Sequence, residues 1–215
     1  MGAHQRTCNI VRVVSPRLVA EAFCEPLPFV QGDTMIPVSG TRYPIIYCDP
    51  PWDYKGQKQH AGKGKKDTGG AISHYPTMKL KELKKLKPMI DTLSANDCLL
   101  FMWATSPHLD QAIDLMKAWG FKWATVGFVW DKGRVNPSFY TMSQVELCLV
   151  GKKGKIPQPR GARNIRQYVS HPREKHSKKP DEVRKRIELM FPTQPKIELF
   201  AREVVKWWSA WGNEV

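Results

Sequence analysis

The sequence contains no long hydrophobic run and few clustered metal ligands. No apolar stretch approaches the roughly 18 residues that a membrane-spanning helix needs, and no basic segment followed by an apolar one starts the chain, so we expect no signal peptide. The five cysteines include no Cys-x-x-Cys pair, and the six histidines lack the spacing of a zinc protease. We therefore expect a cytoplasmic protein with reduced cysteines, without structural zinc or any other metal.

A glycine-rich nucleotide loop is also missing. No Gly-x-Gly-x-x-Gly follows a predicted strand. The length of 215 residues and the hydrophobic content of 41% nevertheless fit one α/β domain. We predict a single domain over residues 1–215, with an N-terminal extension over residues 1–40. Two mobile basic loops are expected within it, over residues 55–76 and 152–179.

Acidic residues are scarce in these two loops. Residues 55–66 hold five lysines and no acid, and residues 152–179 hold ten Lys or Arg against Glu174, which together account for the net charge of +14. A charge run is often only a solvated loop, but two of them beside one pocket favour a nucleic-acid partner. The arginines that we expect to contact it are Arg160, Arg163 and Arg166.

The most informative stretch is residues 43–52, Tyr-Pro-Ile-Ile-Tyr-Cys-Asp-Pro-Pro-Trp. Its first six residues have the composition of a buried strand, which Pro50 and Pro51 end because neither has a backbone N–H for a sheet. Asp49 is therefore predicted at the carboxyl end of a strand, where ligands bind in open α/β sheets.

The residue types at this point suit a planar amine. An exocyclic amine of a nucleobase is a poor nucleophile because its lone pair is delocalised into the ring. The Asp49 carboxylate and the Pro50 carbonyl, which the prolines leave without a local N–H partner, are predicted to accept its hydrogens while Trp52 stacks on the base.

Asp-Pro-Pro-Trp at residues 49–52 resembles the catalytic tetrapeptide of S-adenosylmethionine-dependent amino methyltransferases. The chain as a whole resembles the family of the catalytic subunit of the mRNA adenosine N(6)-methyltransferase, over roughly residues 33–214. The resemblance implies a Rossmann-like α/β fold with a mostly parallel sheet flanked by helices and a permuted motif order. Four anchors carry it, at residues 49–52, 146–151, 179–182 and 197–213.

The resemblance also implies the cofactor site. S-adenosylmethionine would be bound, and S-adenosylhomocysteine released, by a set comprising Asp33, Asp49, Ser177, Lys179, Arg202, Asn213 and Glu214. Lys179 and Ser177 would meet the methionine carboxylate, and Arg202 the ribose region. Glu214 replaces the family's Gln, and a carboxylate cannot donate a hydrogen bond to an adenine nitrogen.

Two further residues are implied on the substrate side. Tyr75 would lie beside the reacting groups, within a lid formed by the first basic loop. Glu146 would face the target base, or else lie on the solvent side of its strand.

Several alternatives remain open at this point. The chain is little more than a catalytic domain, which resembles small bacterial and phage members and favours DNA over RNA as the substrate. RNA adenosine and cytosine N(4) are alternative targets, because an acceptor pair suits either amine. A non-catalytic nucleic-acid-binding subunit of the same fold is a further alternative, although its tetrapeptide would be broken. Monomer and dimer are both compatible with the sequence.

Overall fold

Seven strands form one mixed sheet in the computed structural model, which describes residues 40–53, 77–137, 140–174 and 178–215. The strands are β1 (Tyr43–Cys48), β2 (Ser94–Ala104), β3 (Lys122–Asn136), β4 (Ser143–Lys153), β5 (Tyr168–Ser170), β6 (Lys196–Leu199) and β7 (Ser209–Trp211). The α-helices are α1 (Leu80–Lys84), α2 (Lys87–Leu93), α3 (Leu109–Ala118) and α4 (Asp181–Met190), and a 3-10 turn spans Ser106–His108.

The sheet has the order β5-β3-β4-β2-β1-β6-β7. β1 is parallel to both of its neighbours, β2 and β6, whereas β4 runs antiparallel to β2 and β3. Four of the six pairings between described strands are parallel. The predicted fold class, a mostly parallel sheet flanked by helices, is confirmed.

Helices cover both faces of the sheet, which explains why β1 is apolar at nearly every position rather than alternating. One face packs against α1, α2 and α3 through buried side chains such as Leu83, Ile90 and Leu115. The other face packs against α4 through Val183 and Ile187. None of the described helices has the length and apolar character needed to cross a membrane.

Three local features differ from the sequence-based expectations. The polar sequence of residues 131–142, interrupted by glycine and proline, predicts a loop, but β3 continues to Asn136 because an irregular pairing with β4 accommodates Gly133. The sequence predicts a helix that starts after Thr77 and ends before Pro88, but Pro88 lies in the first turn of α2, as its lack of a backbone N–H allows. The basic loop expected over residues 152–179, here called the basic connection, contains β5. The expected loop over residues 55–76 and, apart from Gly40, the N-terminal extension lie outside the described residues.

Gly212 allows the close approach of the chain after β7 to the chain after β6. A Cβ atom at Gly212 would lie 2.1 Å from the Ala201 carbonyl oxygen, so Gly212→Ala forces these backbones apart. We expect Gly212→Ala to lower the free energy of unfolding by about 1–3 kcal/mol in urea denaturation.

Gly133→Ala is the matched control. Gly133 has φ +63° but nothing within 4 Å of an added Cβ, so the substitution tests backbone conformation alone. It should lower the free energy of unfolding by about 1 kcal/mol. If Gly212→Ala costs no more than Gly133→Ala, the close approach is not a constraint on stability.

Candidate active site

The carboxyl ends of the parallel strands place several polar residues at one edge of the sheet. Asp49 follows β1 directly, as predicted, and Leu199 pairs with Cys48 at the last position of β6. Glu146 reaches the same edge because β4 is antiparallel to β2 and Leu147 pairs with Ala104, the last residue of β2. The edge therefore combines two carboxylates from different strands.

Backbone hydrogen bonds fix the turn that follows Asp49. Trp52 N–H donates to the Pro50 carbonyl at 2.8 Å, and Met78 N–H donates to the Pro51 carbonyl at 2.8 Å. The expectation that the Pro50 carbonyl has no local N–H partner was wrong, because the chain turns back on itself within two residues. A carbonyl oxygen has two lone pairs, so this bond leaves one for a ligand.

Trp52 differs from the expectation of an exposed stacking surface. Its side chain is only 4% exposed, and its indole N–H donates to the Trp103 carbonyl at 3.2 Å. The ring stacks on His108, with centroids 5.8 Å apart, and burial lowers the pKa of that imidazole so that it packs as a neutral ring. In this structure Trp52 anchors the turn and holds Asp49 in place.

An alternating chain of charges lies beside the turn. Lys179 Nζ is 2.9 Å from Asp49 Oδ2 and 3.1 Å from Glu146 Oε2, and it lies 5.7 Å from the centroid of the Trp103 ring. Lys132 Nζ is 3.4 Å from Glu146 Oε1. Glu146 is 14% exposed and points inward, so it is not on the solvent side of its strand.

These contacts set the protonation states of the two acids. Burial raises the pKa of Asp49 above its ordinary value, and Lys179 only partly opposes this. Burial also acts to raise the pKa of Glu146, but the attraction of Lys179 and Lys132 outweighs it and the pKa is lowered. Burial disfavours the charged form of Lys179, yet Asp49 and Glu146 raise its pKa well above that of a free lysine. Glu146 is therefore the more firmly ionised acid.

A second ionic cluster supports the start of α4. Arg184 Nη1 donates to Glu198 Oε2 at 3.0 Å, and its other nitrogen donates to Glu203 at 2.6 Å and also to Asp181. Lys178 lies 3.3 Å from Glu203. Lys178 and Lys179 are thus both paired with acids, and Lys179, the lysine predicted to meet the cofactor carboxylate, is the one beside Asp49.

The predicted cofactor residues at the chain end lie after β6 and β7. Arg202 is half-buried, with its Nε 3.8 Å from Glu214 Oε1, and its charge acts to lower the pKa of Asp49. Asn213 and Glu214 are exposed. These residues offer a cation, an amide and a carboxylate at the same edge as Asp49, a donor set that fits the carboxylate and hydroxyl groups of S-adenosylmethionine.

Residues 160–162 of the basic connection pack against the carboxyl end of α4. Gly161 N–H donates to the Met190 carbonyl at 2.9 Å, and the Arg160 guanidinium lies 5.8 Å from the centroid of the Phe191 ring. These contacts are at the carboxyl end of α4, which precedes the amino end of β6, so Arg160 is at the sheet edge opposite Asp49. Arg163 and Arg166 are exposed.

Some predicted residues lie outside the described part of the chain, and two residues of the site were not predicted from the sequence. Asp33, Tyr75 and Ser177 lie outside the described residues, and their roles stay predictions. Lys132 and His108 were missed, because each reaches the site only through contacts with another element. The text Asp-Lys-Gly at residues 131–133 was the available signal for Lys132, since it marks a turn within a strand. Within the four described ranges there is no cluster of acids, histidines and cysteines suited to a metal ion.

A helix-flanked, mostly parallel sheet with Asp-Pro-Pro-Trp at the carboxyl end of an inner strand is the architecture of a Rossmann-like methyltransferase. The MT-A70 family model matches residues 43–214, and the chain belongs to the MT-A70 family. It is an S-adenosylmethionine-dependent methyltransferase, and family membership gives the reaction, transfer to the N(6) amine of adenine in nucleic acid.

Named relatives agree with this assignment. The Type II methyltransferase M.MunI of Mycoplasma sp is 48% identical over 184 residues, which cover 81% of this chain and 78% of that protein. The N(6)-adenosine-methyltransferase MT-A70-like of Arabidopsis thaliana is 29% identical over 80% of this chain and 23% of its own length. The similarly named protein of Drosophila melanogaster is 26% identical over 81% and 27%. The chain thus spans about a quarter of these two relatives.

Glu198 gives a pH dependence that can be measured. Burial raises the pKa of Glu198 from 4.5 to about 7, with Arg184 only partly opposing it. The folded state therefore binds more protons than the unfolded state between these values, and stability falls as pH rises through this window. We expect Glu198→Gln to remove a fall of about 2–3 kcal/mol in the free energy of unfolding between pH 5 and pH 8.

Glu203→Gln is the control, because Glu203 shares the Arg184 partner. The hydrogen bond from Arg184 lowers the pKa of Glu203, so the stability that Glu203 contributes to the folded state is lost as pH falls. Its pH dependence therefore has the opposite sign to that of Glu198. An unchanged pH slope in Glu198→Gln would contradict the assignment.

Proposed function

We propose that this chain methylates adenine in DNA. The observation that supports DNA is the 48% identity to a Type II methyltransferase over most of both chains, since type II methyltransferases modify DNA. The relatives named as adenosine methyltransferases are less similar and are about four times longer than the matched region. Their match supports the reaction more than the polymer.

Mass spectrometry tests the choice of substrate. DNA and RNA of matched sequence are incubated with the protein and isotope-labelled S-adenosylmethionine, and the digested nucleosides are quantified. We expect labelled N(6)-methyldeoxyadenosine from DNA. Faster labelling of RNA would contradict the choice of DNA, and labelled N(4)-methylcytosine would contradict the choice of adenine.

The proposed chemistry depends on where Asp49 and Pro50 point their oxygen atoms. The ionised Asp49 carboxylate and the free lone pair of the Pro50 carbonyl accept the two amine hydrogens, which localises electron density on nitrogen. S-adenosylmethionine, when bound, supplies a methyl group on a sulfonium centre and leaves as S-adenosylhomocysteine. After the new N–C bond forms, the cationic amine loses its extra proton, and Asp49 is positioned to take it before solvent does.

Lys179 keeps Asp49 in the required form. Burial favours the protonated acid, which can no longer accept a second hydrogen bond at that oxygen, whereas the ammonium at 2.9 Å favours the carboxylate. We assign Arg202, Asn213 and Glu214 to the cofactor because they lie at the ends of β6 and β7 beside Asp49. Trp52 acts by anchoring the turn.

Replacing Asp49 tests the mechanism. Asp49→Asn keeps the shape of the side chain but places an amide donor where the mechanism needs an acceptor, so we expect methyl transfer to fall by about 100-fold or more. Cofactor binding, measured by isothermal titration calorimetry, is expected to change only a few-fold.

Asp110→Asn, an exposed acid in the first turn of α3, is the matched control and should retain activity. Full methyl transfer by Asp49→Asn would show that this carboxylate is not the acceptor.

The exposed arginines of the basic connection are proposed to contact phosphates. Arg163→Glu combined with Arg166→Glu should reduce the slope of log binding constant against log salt by about 2, because each phosphate contact contributes about one counterion. Cofactor affinity should be unchanged. Arg160 is left out because it packs on Phe191.

Lys117→Glu combined with Lys122→Glu makes the same change of charge near the end of α3 and at the start of β3, and should leave the slope nearly unchanged. Equal effects of the two pairs would show that only net charge matters.

A further inference from the structure

Lys132 is a buried lysine that neither the sequence motifs nor the proposed mechanism uses. Its side chain is 6% exposed, although it lies near the end of a strand where a lysine would normally extend into water. Its ammonium lies 3.4 Å from Glu146 Oε1. A buried cation in this position is costly unless it is paired, so its inward orientation requires an explanation.

The irregular pairing of β3 with β4 produces that orientation. Asp131 pairs with Val145, but the next pairing is Asn136 with Ser143, so residues 132–135 face only Gln144. Such bulges change the direction of a side chain and are frequent beside active sites. The bulge directs Lys132 toward the sheet edge that carries Asp49.

Hydrogen bonds from three elements fix the bulge. Asp131 Oδ1 accepts from Gly133 N–H at 2.9 Å and from Gln144 Nε2 at 2.8 Å, and Asp131 Oδ2 accepts from Tyr168 O–H at 2.6 Å. Gly133 adopts φ +63°, which glycine tolerates without strain. The residues on both sides of Lys132 are thereby held in place.

We propose that Lys132 is a positioning residue for methyl transfer, which holds Glu146 so that Lys179 stays on Asp49. Glu146 uses one oxygen for each lysine, and Lys179 is shared between Glu146 and Asp49. Without Lys132, Lys179 is the one cation of the described residues left beside Glu146, which draws it away from Asp49. Asp49 then takes up a proton at a higher pH and loses its function as an acceptor.

The surrounding groups leave this role to Lys132. Among the described residues, the cations that act on Glu146 are Lys179 and Lys132. Burial raises the pKa of both neighbouring thiols, Cys48 and Cys148, so they stay neutral. Among the residues that the structure describes, the titratable or charged side chains with an electrostatic effect between them and Asp49 or Glu146 are Cys48, Lys132, Cys148, Lys179, Glu198 and Arg202.

The pH profile of methyl transfer separates this role from a merely structural one. We expect Lys132→Met to move the acidic limb of the kcat profile to higher pH by about 1 unit, which is about tenfold in rate on that limb. Lys132→Arg keeps the charge and should leave the limb close to its wild-type position. Lys122→Met removes an exposed charge from the same strand and should leave the limb in place.

A double-mutant cycle tests whether the effect passes through Glu146. In a Glu146→Gln background, Lys132→Met should no longer move the limb, because there is no carboxylate left to compete for Lys179. An equal shift in that background would overturn the proposal, as would a Lys132→Met variant that lost folded protein, seen by circular dichroism, with its limb unmoved.

The inference rests on the proposed role of Asp49, and the two can fail separately. Asp49→Asn is assayed alongside. If Asp49→Asn is fully active, the proposed mechanism is wrong. If it is inactive and Lys132→Met leaves the limb unmoved, only the role of Lys132 is wrong.

Discussion

One buried ammonium group holds the site together. Lys179 comes from the segment before α4 and contacts Asp49 after β1 and Glu146 on β4, so a single cation joins three parts of the fold. Two carboxylates this close would repel each other and take up a proton if the cation were absent. The geometry of the edge therefore depends on an interaction that none of the three parts can make alone.

The mixed sheet is what makes this interaction available. In a purely parallel sheet every strand would end at this edge, and the polar residue that follows each strand would belong to a loop. Because β4 is antiparallel, it enters the sheet at this edge, and Glu146 is held by the strand itself. The β3 bulge beside it adds Lys132 from a second rigid element. Charged side chains on strands are positioned more precisely than charged side chains on loops.

The parts of the fold that could be predicted from sequence have strong local signals. Pro50 and Pro51 end β1 wherever it packs, so the position of Asp49 followed from residues 43–52 alone. Trp52 could not be predicted as a core residue, since its partner His108 comes from a different element. Arg160 carries the same charge as Arg163, but Arg160 packs on the Phe191 ring whereas Arg163 is exposed, a difference that depends on contacts with α4. Lys132 depends on an irregular register that no periodicity reveals.

The hydrogen bond from Met78 to Pro51, together with the bridge between Trp52 and Met78, closes the chain on either side of residues 54–76. The two ends of that insertion are tied to the catalytic turn and to α1, independently of what lies between them. The entropy of closing such a segment grows only slowly with its length. Exchanging residues 54–76 for the corresponding residues of a relative would thus leave in place the hydrogen bond that ties the turn after Asp49 to the start of α1.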